Sequence, residues 1–408
     1  MNKPMNRQDK LTIALLSTTH FILDSYSSFI FPLLPLLATK LKLTPAQVGW
    51  LTPTLMITSS LLQPAYGLIS DRYLKREMAI FGPLIAAIFL SCLGMATSLP
   101  MLMALVICGG IGIGAFHPQG AAIVARAAAN DGSGKHQGLV MSVFSSTGTV
   151  GYALGPLIIA AIIANFGLEK SWYTMFWGIA IAAVMWRYCP ALPDRKAETH
   201  SVSLRDSLLA VWQPLTLLYF AVVLRSAVSV SVQTFLPFAL QDSGLGTTAI
   251  SSVLAGFLFF GGVGGFFGGG MADRWGARRI SLVSLLIATP LLLMAFATTG
   301  VTSYALMMLG GTALNLPIPV SVVMAQRLVP GGASTVSALM MGFAWGAGAL
   351  LAPLTGWLGA RYGFFHALWL MSLLPLVSAL LLWFYPKDRR SVSDLSLDTA
   401  SADSLART

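Results

Sequence analysis

The sequence is short of charge. Only 10% of its 408 residues are Asp, Glu, Lys or Arg, where a soluble domain carries about 25%. Hydrophobic residues make up 56%, and the mean hydropathy is +0.75. A water-soluble globule is therefore excluded. Cysteine is scarce as well. Cys92, Cys108 and Cys189 are odd in number and far apart, with no C-x-x-C pair and no Cys/His ligand spacing, so neither a disulfide framework nor a zinc site is expected. They read as small core residues. The period-two alternation of barrel strands is also missing, which removes the only other architecture able to span a bilayer.

Other absences narrow the function. The glycine-rich run GGVGGFFGGG (261–270) has no strand before it and no lysine after it, so it is not a phosphate-binding loop and no nucleotide-driven pump is expected. Its Gly261, Gly265 and Gly269 fall on one helix face and read as a close-packing surface. No motif joins a nucleophile to a base, so an enzyme is not expected. No metal or organic cofactor is called for. The first apolar run, about 11–38, is too long for a signal-peptide core and lacks a small-residue cleavage site, so it reads as a retained first span.

What is present is a series of long apolar segments. Twelve spans fit the hydropathy, at about 11–38, 46–70, 78–98, 101–127, 136–165, 172–189, 212–240, 247–271, 280–299, 302–328, 336–360 and 366–385; a spanning helix needs about 20 residues. Of the 25 Lys and Arg residues, 20 fall on the segments that share a side with the N-terminus. Lys40, Lys42, Lys170 and Arg361 lie on the other side, and Arg225 alone lies near the middle of a span rather than at its end. This bias puts both termini in the cytoplasm of a multi-pass cell (inner) membrane protein. It also accounts for the net charge of +10 without nucleic acid as a partner.

The chain repeats itself. Gly67, Asp71 and Arg72 of GLISDRYLKR recur 202 residues later as Gly269, Asp273 and Arg274 of GGMADRWGARR, and Pro35 recurs as Pro237. Pro118 and Pro319, and Arg126 and Arg327, are 201 apart. The expected organisation is an N-terminal six-helix half (1–190), a cytoplasmic linker (191–210), a C-terminal six-helix half (211–386) and a disordered cytoplasmic tail (387–408).

The duplicated G-x-x-x-D-R loop resembles the signature between helices 2 and 3, and between helices 8 and 9, of the major facilitator superfamily. That resemblance covers nearly the whole chain and implies an all-α membrane protein of 12 transmembrane helices in two pseudo-symmetric halves, a small-molecule substrate and a monomeric state. In the first copy Leu74 replaces the usual glycine, and in the second Ala277 replaces a basic residue. In the fifth span, Gly151, Gly155 and Pro156 of GTVGYALGP resemble the core of the antiporter motif of drug exporters. The flanking glycines are absent, and a plain small-residue packing face with a proline kink fits equally well.

The ionisable residues inside spans are few. His20 and Asp24 are four apart on one face of the first span, His117 lies in the fourth and Arg225 in the seventh. Such groups normally face a bundle interior or a water-filled cavity. The tenth span adds Asn315, Pro317 and Pro319 at similar depth, and Gln63 lies in the second. H-x3-D in the first span with F-H-P (Phe116, His117, Pro118) in the fourth resembles the fosmidomycin-resistance family within that superfamily, which implies proton-driven export of a phosphonate-like compound.

The expected mechanism is alternating access driven by the proton gradient. Asp24 is expected to carry the proton, with His20 and His117 assisting it or binding substrate. Arg225 would hold an anionic substrate group or pair with Asp24 when the site is empty, and Asn315 and Gln63 would supply hydrogen bonds. Two alternatives share the architecture: a proton symporter importing an organic acid or sugar, and a non-transporting membrane sensor.

Overall fold

The computed structural model describes residues 6–63, 65–66, 75–129, 137–190, 204–329 and 333–386. Every regular element among the described residues is helical. The first half comprises α1 (Arg7–Leu41), α2 (Pro45–Met56, continued by a π-helical turn, Ile57–Leu61), α3 (Lys75–Ser91), α4 (Leu99–Ala129), α5 (Gln137–Phe166) and α6 (Met175–Tyr188). A short helix, Leu204–Ala210, leads into α7 (Trp212–Asp242), α8 (Thr247–Trp275) and α9 (Ala277–Ala297). α10 (Gly300–Leu328), α11 (Thr335–Tyr362) and α12 (Phe364–Phe384) complete the second half. Ten of these helices are long and apolar enough to span a bilayer by themselves; α2 and α6 are the shorter two. The first G-x-x-x-D-R copy (Gly67, Asp71, Arg72), linker residues 191–203 and the tail 387–408 lie outside the described residues.

α1 and α7 form the centre. In each, 72% of the most apolar window is buried, against 33–56% in the other eight qualifying helices. The periphery is greasy where a soluble protein would be polar: Trp186, Phe266, Phe267, Trp383 and Phe384 are exposed, as expected of surfaces facing lipid rather than water.

Both halves close their last helix with the same device. The final carbonyls of a helix lack intrahelical donors, and a cation there is favoured by the helix dipole. Arg76 donates from Nε to Cys189 O at 2.8 Å and from Nη2 to Trp186 O, at the end of α6. Arg278, 202 residues later, donates from Nε to Leu382 O at 2.9 Å and from Nη2 to Trp383 O, at the end of α12. Each guanidinium also lies over a tryptophan of the helix it caps, Trp186 at 5.6 Å and Trp383 at 5.8 Å.

The glycines of α8 pack in a different register from the expected one. A Cβ on Gly264 would sit 2.1 Å from Thr312 O, and one on Gly268 would sit 2.0 Å from Leu316 O. Gly261 abuts Asn315, while Gly265 has only Asn315 O, at 3.9 Å, and Gly269 has nothing within 4 Å. The close face is thus Gly261, Gly264 and Gly268, because α8 is rotated so that this stripe meets α10. Among the described residues, none approaches Gly269 closely.

The two halves press together at the end carrying the α1–α2 turn. A Cβ on Gly49 of α2 would lie 2.7 Å from Pro353 Cα of α11, and one on Gly356 would lie 2.5 Å from Pro45 O. Thr234 of α7 donates to Thr52 of α2 at 2.9 Å. Residues 25–35 of α1 and 225–237 of α7 are buried on every side, whereas exposed positions recur toward the N-terminal ends of both helices. The two π-helical turns, Ile57–Leu61 in α2 and Leu339–Phe343 in α11, meet where Gly342 faces Ser60 O.

This packing makes a direct prediction. With Cys92, Cys108 and Cys189 replaced by Ala, the pair Thr52→Cys and Thr234→Cys should form a disulfide under mild oxidant, seen as a gel shift reversed by reductant. Either single variant should form none, and failure of the double variant to cross-link would contradict the closed end described here.

Candidate functional site

Pro118 lies inside α4, where its missing N–H leaves a carbonyl of the preceding turn without a helical donor. The next residue back, His117, turns its ring into the bundle and donates from Nδ1 to Ile113 O at 2.8 Å. On α1, His20 is buried and its Nδ1 donates to Phe144 O of α5, also at 2.8 Å. The two rings meet edge to face with centroids 5.2 Å apart. Phe144 stacks on His20 at 4.4 Å, and Phe116 lies 5.9 Å away.

Asp24 bridges the two imidazoles. Its Oδ2 is 3.2 Å from His20 Nε2 and its Oδ1 is 3.3 Å from His117 Nε2. A carbonyl oxygen can only accept, so each Nδ1 carries a proton. In a neutral ring Nε2 is then bare and would oppose a carboxylate lone pair. Each Nε2···Oδ contact is therefore favourable only with a proton or a cation between the two atoms. The same three donor groups, with ligand atoms within 4.8 Å of one another and each Nδ1 tied from behind by a carbonyl, form a set that could alternatively close on one divalent cation. Sequence spacing alone does not suggest that set, since His117 lies far along the chain.

The fifth helix holds this triad in place. A Cβ on Gly148 would fall 2.4 Å from His20 Nε2 and 2.7 Å from Asp24 Oδ2. Gly151 lets α5 touch Phe21 O of α1, and Gly155 does the same at Ser25 O. Gly151, Gly155 and the buried Pro156 thus form a packing face against α1, and through it they set the position of Asp24.

Arg225 occupies the corresponding place in the second half: Asp24 and Arg225 are 201 residues apart, the same offset as Pro118 and Pro319. Each stands at the boundary of the fully buried stretch of its helix. Arg225 is 1% exposed. Its Nη1 donates to Asn315 Oδ1 at 3.1 Å, and its guanidinium carbon lies 5.1 Å from the Trp345 ring centroid. Asn315 ends the first segment of α10, before Pro317 restarts the helix. The expected Asp24–Arg225 pair is not formed, because two histidines already hold the carboxylate. A polar chain runs between the halves instead. Tyr152 of α5 donates to Gln233 Oε1 at 2.6 Å, Gln233 Nε2 donates to Ser229 Oγ at 3.2 Å, and Ser229 donates to Asn315 Oδ1 at 3.5 Å.

The remaining candidates stand apart from this constellation. Gln63 donates to Ser59 O of its own helix at 3.0 Å, satisfying a carbonyl of the π-helical turn. Asp273 and Arg274 are exposed at the end of α8, and no ion pair joins them to another described residue. Phe144, Gly148, Tyr152, Gln233 and Trp345 were not foreseen as site residues. Only the tyrosine and glycine in GTVGYALGP offered a signal.

The chain matches the model of the Major Facilitator Superfamily over residues 16–238 and 215–405. It is 30% identical over 389 residues to the fosmidomycin resistance protein of Escherichia coli (strain K12), covering 92% of this chain and 93% of that protein. It is 28% identical over 393 residues to the uncharacterized MFS-type transporter YfnC of Bacillus subtilis (strain 168), covering 93% of each. Among solved structures, an inward-facing, unoccupied bacterial homolog of the human lysosomal transporter Spinster superposes with a TM-score of 0.80 at 15% identity, covering 93% of this chain and 97% of that one.

The packing at Gly148 is testable. Gly148→Ala should displace His20 and Asp24 and lower transport in liposomes by roughly tenfold or more. Gly246→Ala, outside the signature loop and with nothing described within 4 Å of its new methyl, should leave transport unchanged. Equal behaviour of the two variants would separate the triad from function.

Proposed function

Because this chain belongs to the Major Facilitator Superfamily, we propose that it is a proton-coupled antiporter exporting a small drug-like or anionic, phosphonate-like compound from the cytoplasm. The observation that carries this reading is the Asp24 carboxylate held between His20 and His117 Nε2 at 3.2 and 3.3 Å. Such a triad, set inside a bundle of apolar helices, is a group built to take up and release protons. The likeness to a fosmidomycin resistance protein supports export and a phosphonate-like cargo.

In this reading both termini are cytoplasmic and the α1–α2 turn faces outward, so the closed end is the outer gate. Protons that load the triad from outside are released inward, where substrate enters before the halves rock back. Each proton crossing 100 mV supplies roughly 2.3 kcal/mol, enough to sustain about a 50-fold substrate gradient through charge alone. The protein works as a monomer in the inner membrane, without a bound cofactor.

The decisive experiment uses liposomes with an imposed pH gradient, a lumenal pH dye, and fosmidomycin and common drugs as added compounds. Wild type should move protons when a transported compound is added, and Asp24→Asn should not. Proton movement in the same direction as substrate would indicate the symporter instead. If a chelator such as EDTA abolished coupling in wild type, the triad would be a metal site rather than a proton carrier. A mutant that couples normally would remove Asp24 from the mechanism.

A further inference from the structure

Arg225 heads the set of large fully buried side chains, and no carboxylate among the described residues pairs with it. Only Nη1 is engaged, while Nε and Nη2 reach no acceptor among the described residues. Those two groups lie on one edge of the planar guanidinium, with their N–H bonds parallel and spaced to meet two oxygens of one carboxylate or phosphonate. The guanidinium is held in position around that free edge. Asn315 donates from Nδ2 to Gly311 O at 3.0 Å, which turns its Oδ1 toward Nη1, and the Trp345 ring covers the guanidinium at 5.1 Å.

We propose that the Nε/Nη2 edge of Arg225 seats the substrate's oxyanion, bound bidentately as a carboxylate or phosphonate. This deepens the transport reading above and rests on it: cargo must carry a group with two coplanar or tetrahedrally disposed oxygens. The anion site lies wholly within the second half, on α7, α10 and α11, and the proton site wholly within the first. Asp24 cannot serve as an internal substitute for the cargo while both histidines hold it. A buried cation with an empty fork is costly. That cost is relieved when an oxyanion fills the fork or when the halves part and water reaches it.

Binding can be measured on the full-length protein in detergent with no gradient, so failure of proton coupling and failure of this site are separate results. Methylphosphonate and benzoate should each raise the thermal unfolding midpoint of wild type and give a calorimetric isotherm, whereas chloride at equal ionic strength should do neither. Arg225→Lys keeps the charge but loses the fork, and should bind at least about tenfold more weakly. Arg225→Met should abolish the response and raise the midpoint of the ligand-free protein, because an uncompensated buried charge is gone. Equal binding by Arg225→Lys would overturn bidentate seating. No oxyanion response in wild type, with a lowered midpoint in Arg225→Met, would make Arg225 a structural residue. A response to phosphatidylglycerol in the micelle but to neither free oxyanion would assign the edge to a lipid headgroup and overturn a substrate role.

Discussion

A carboxylate among apolar helices has to be neutralised by groups within reach, and here Asp24 is flanked by two imidazoles whose far nitrogens are tied to backbone carbonyls. Much of the first half is arranged around that requirement. Phe144 supplies both the carbonyl that orients His20 and the ring that stacks on it. Pro118 interrupts the hydrogen bonding of α4 next to His117. The glycine face of α5 exists because any side chain at Gly148, Gly151 or Gly155 would collide with α1 at or beside the triad. The contacts of this carboxylate and the helix packing are therefore one constraint, since α1 cannot shift against α5 without altering the contacts of Asp24.

The second half answers with the opposite charge. The repeat places Arg225 where the first half has Asp24, and the break at Leu316 brings Asn315 to it as the first half brings His117 to Asp24. An acid in one half and a base in the other, each at the edge of the buried stretch of a central helix, give each half its own ionisable group. The chain from Tyr152 through Gln233 and Ser229 to Asn315 joins the two across the interface by hydrogen bonds.

The closed end uses softer elements. α2 and α11 meet through π-helical turns, through glycines that admit backbone contact and through a threonine pair. A π-helical turn leaves the local hydrogen-bond ladder imperfect, and Gln63 fills part of that deficit in α2. Among the described residues, this end is thus joined by close contact and by neutral hydrogen bonds rather than by ion pairs.

The twelve spans, the duplication, the H-x3-D face of α1 and the F-H-P turn of α4 were all legible in the amino-acid order. Hydropathy, period and i, i+4 spacing act within one helix or at one fixed offset. The sequence therefore determined which ionisable groups enter the membrane and on which helices. It did not reveal their partners. That Asp24 takes His117 rather than Arg225, that Gly264 and Gly268 rather than Gly265 and Gly269 meet α10, and that Trp345 covers Arg225 depend on the rotation and axial shift of one helix against another. Only tertiary packing decides these, because a rotation of one residue, about 100°, turns a different stripe of the same helix to its neighbour.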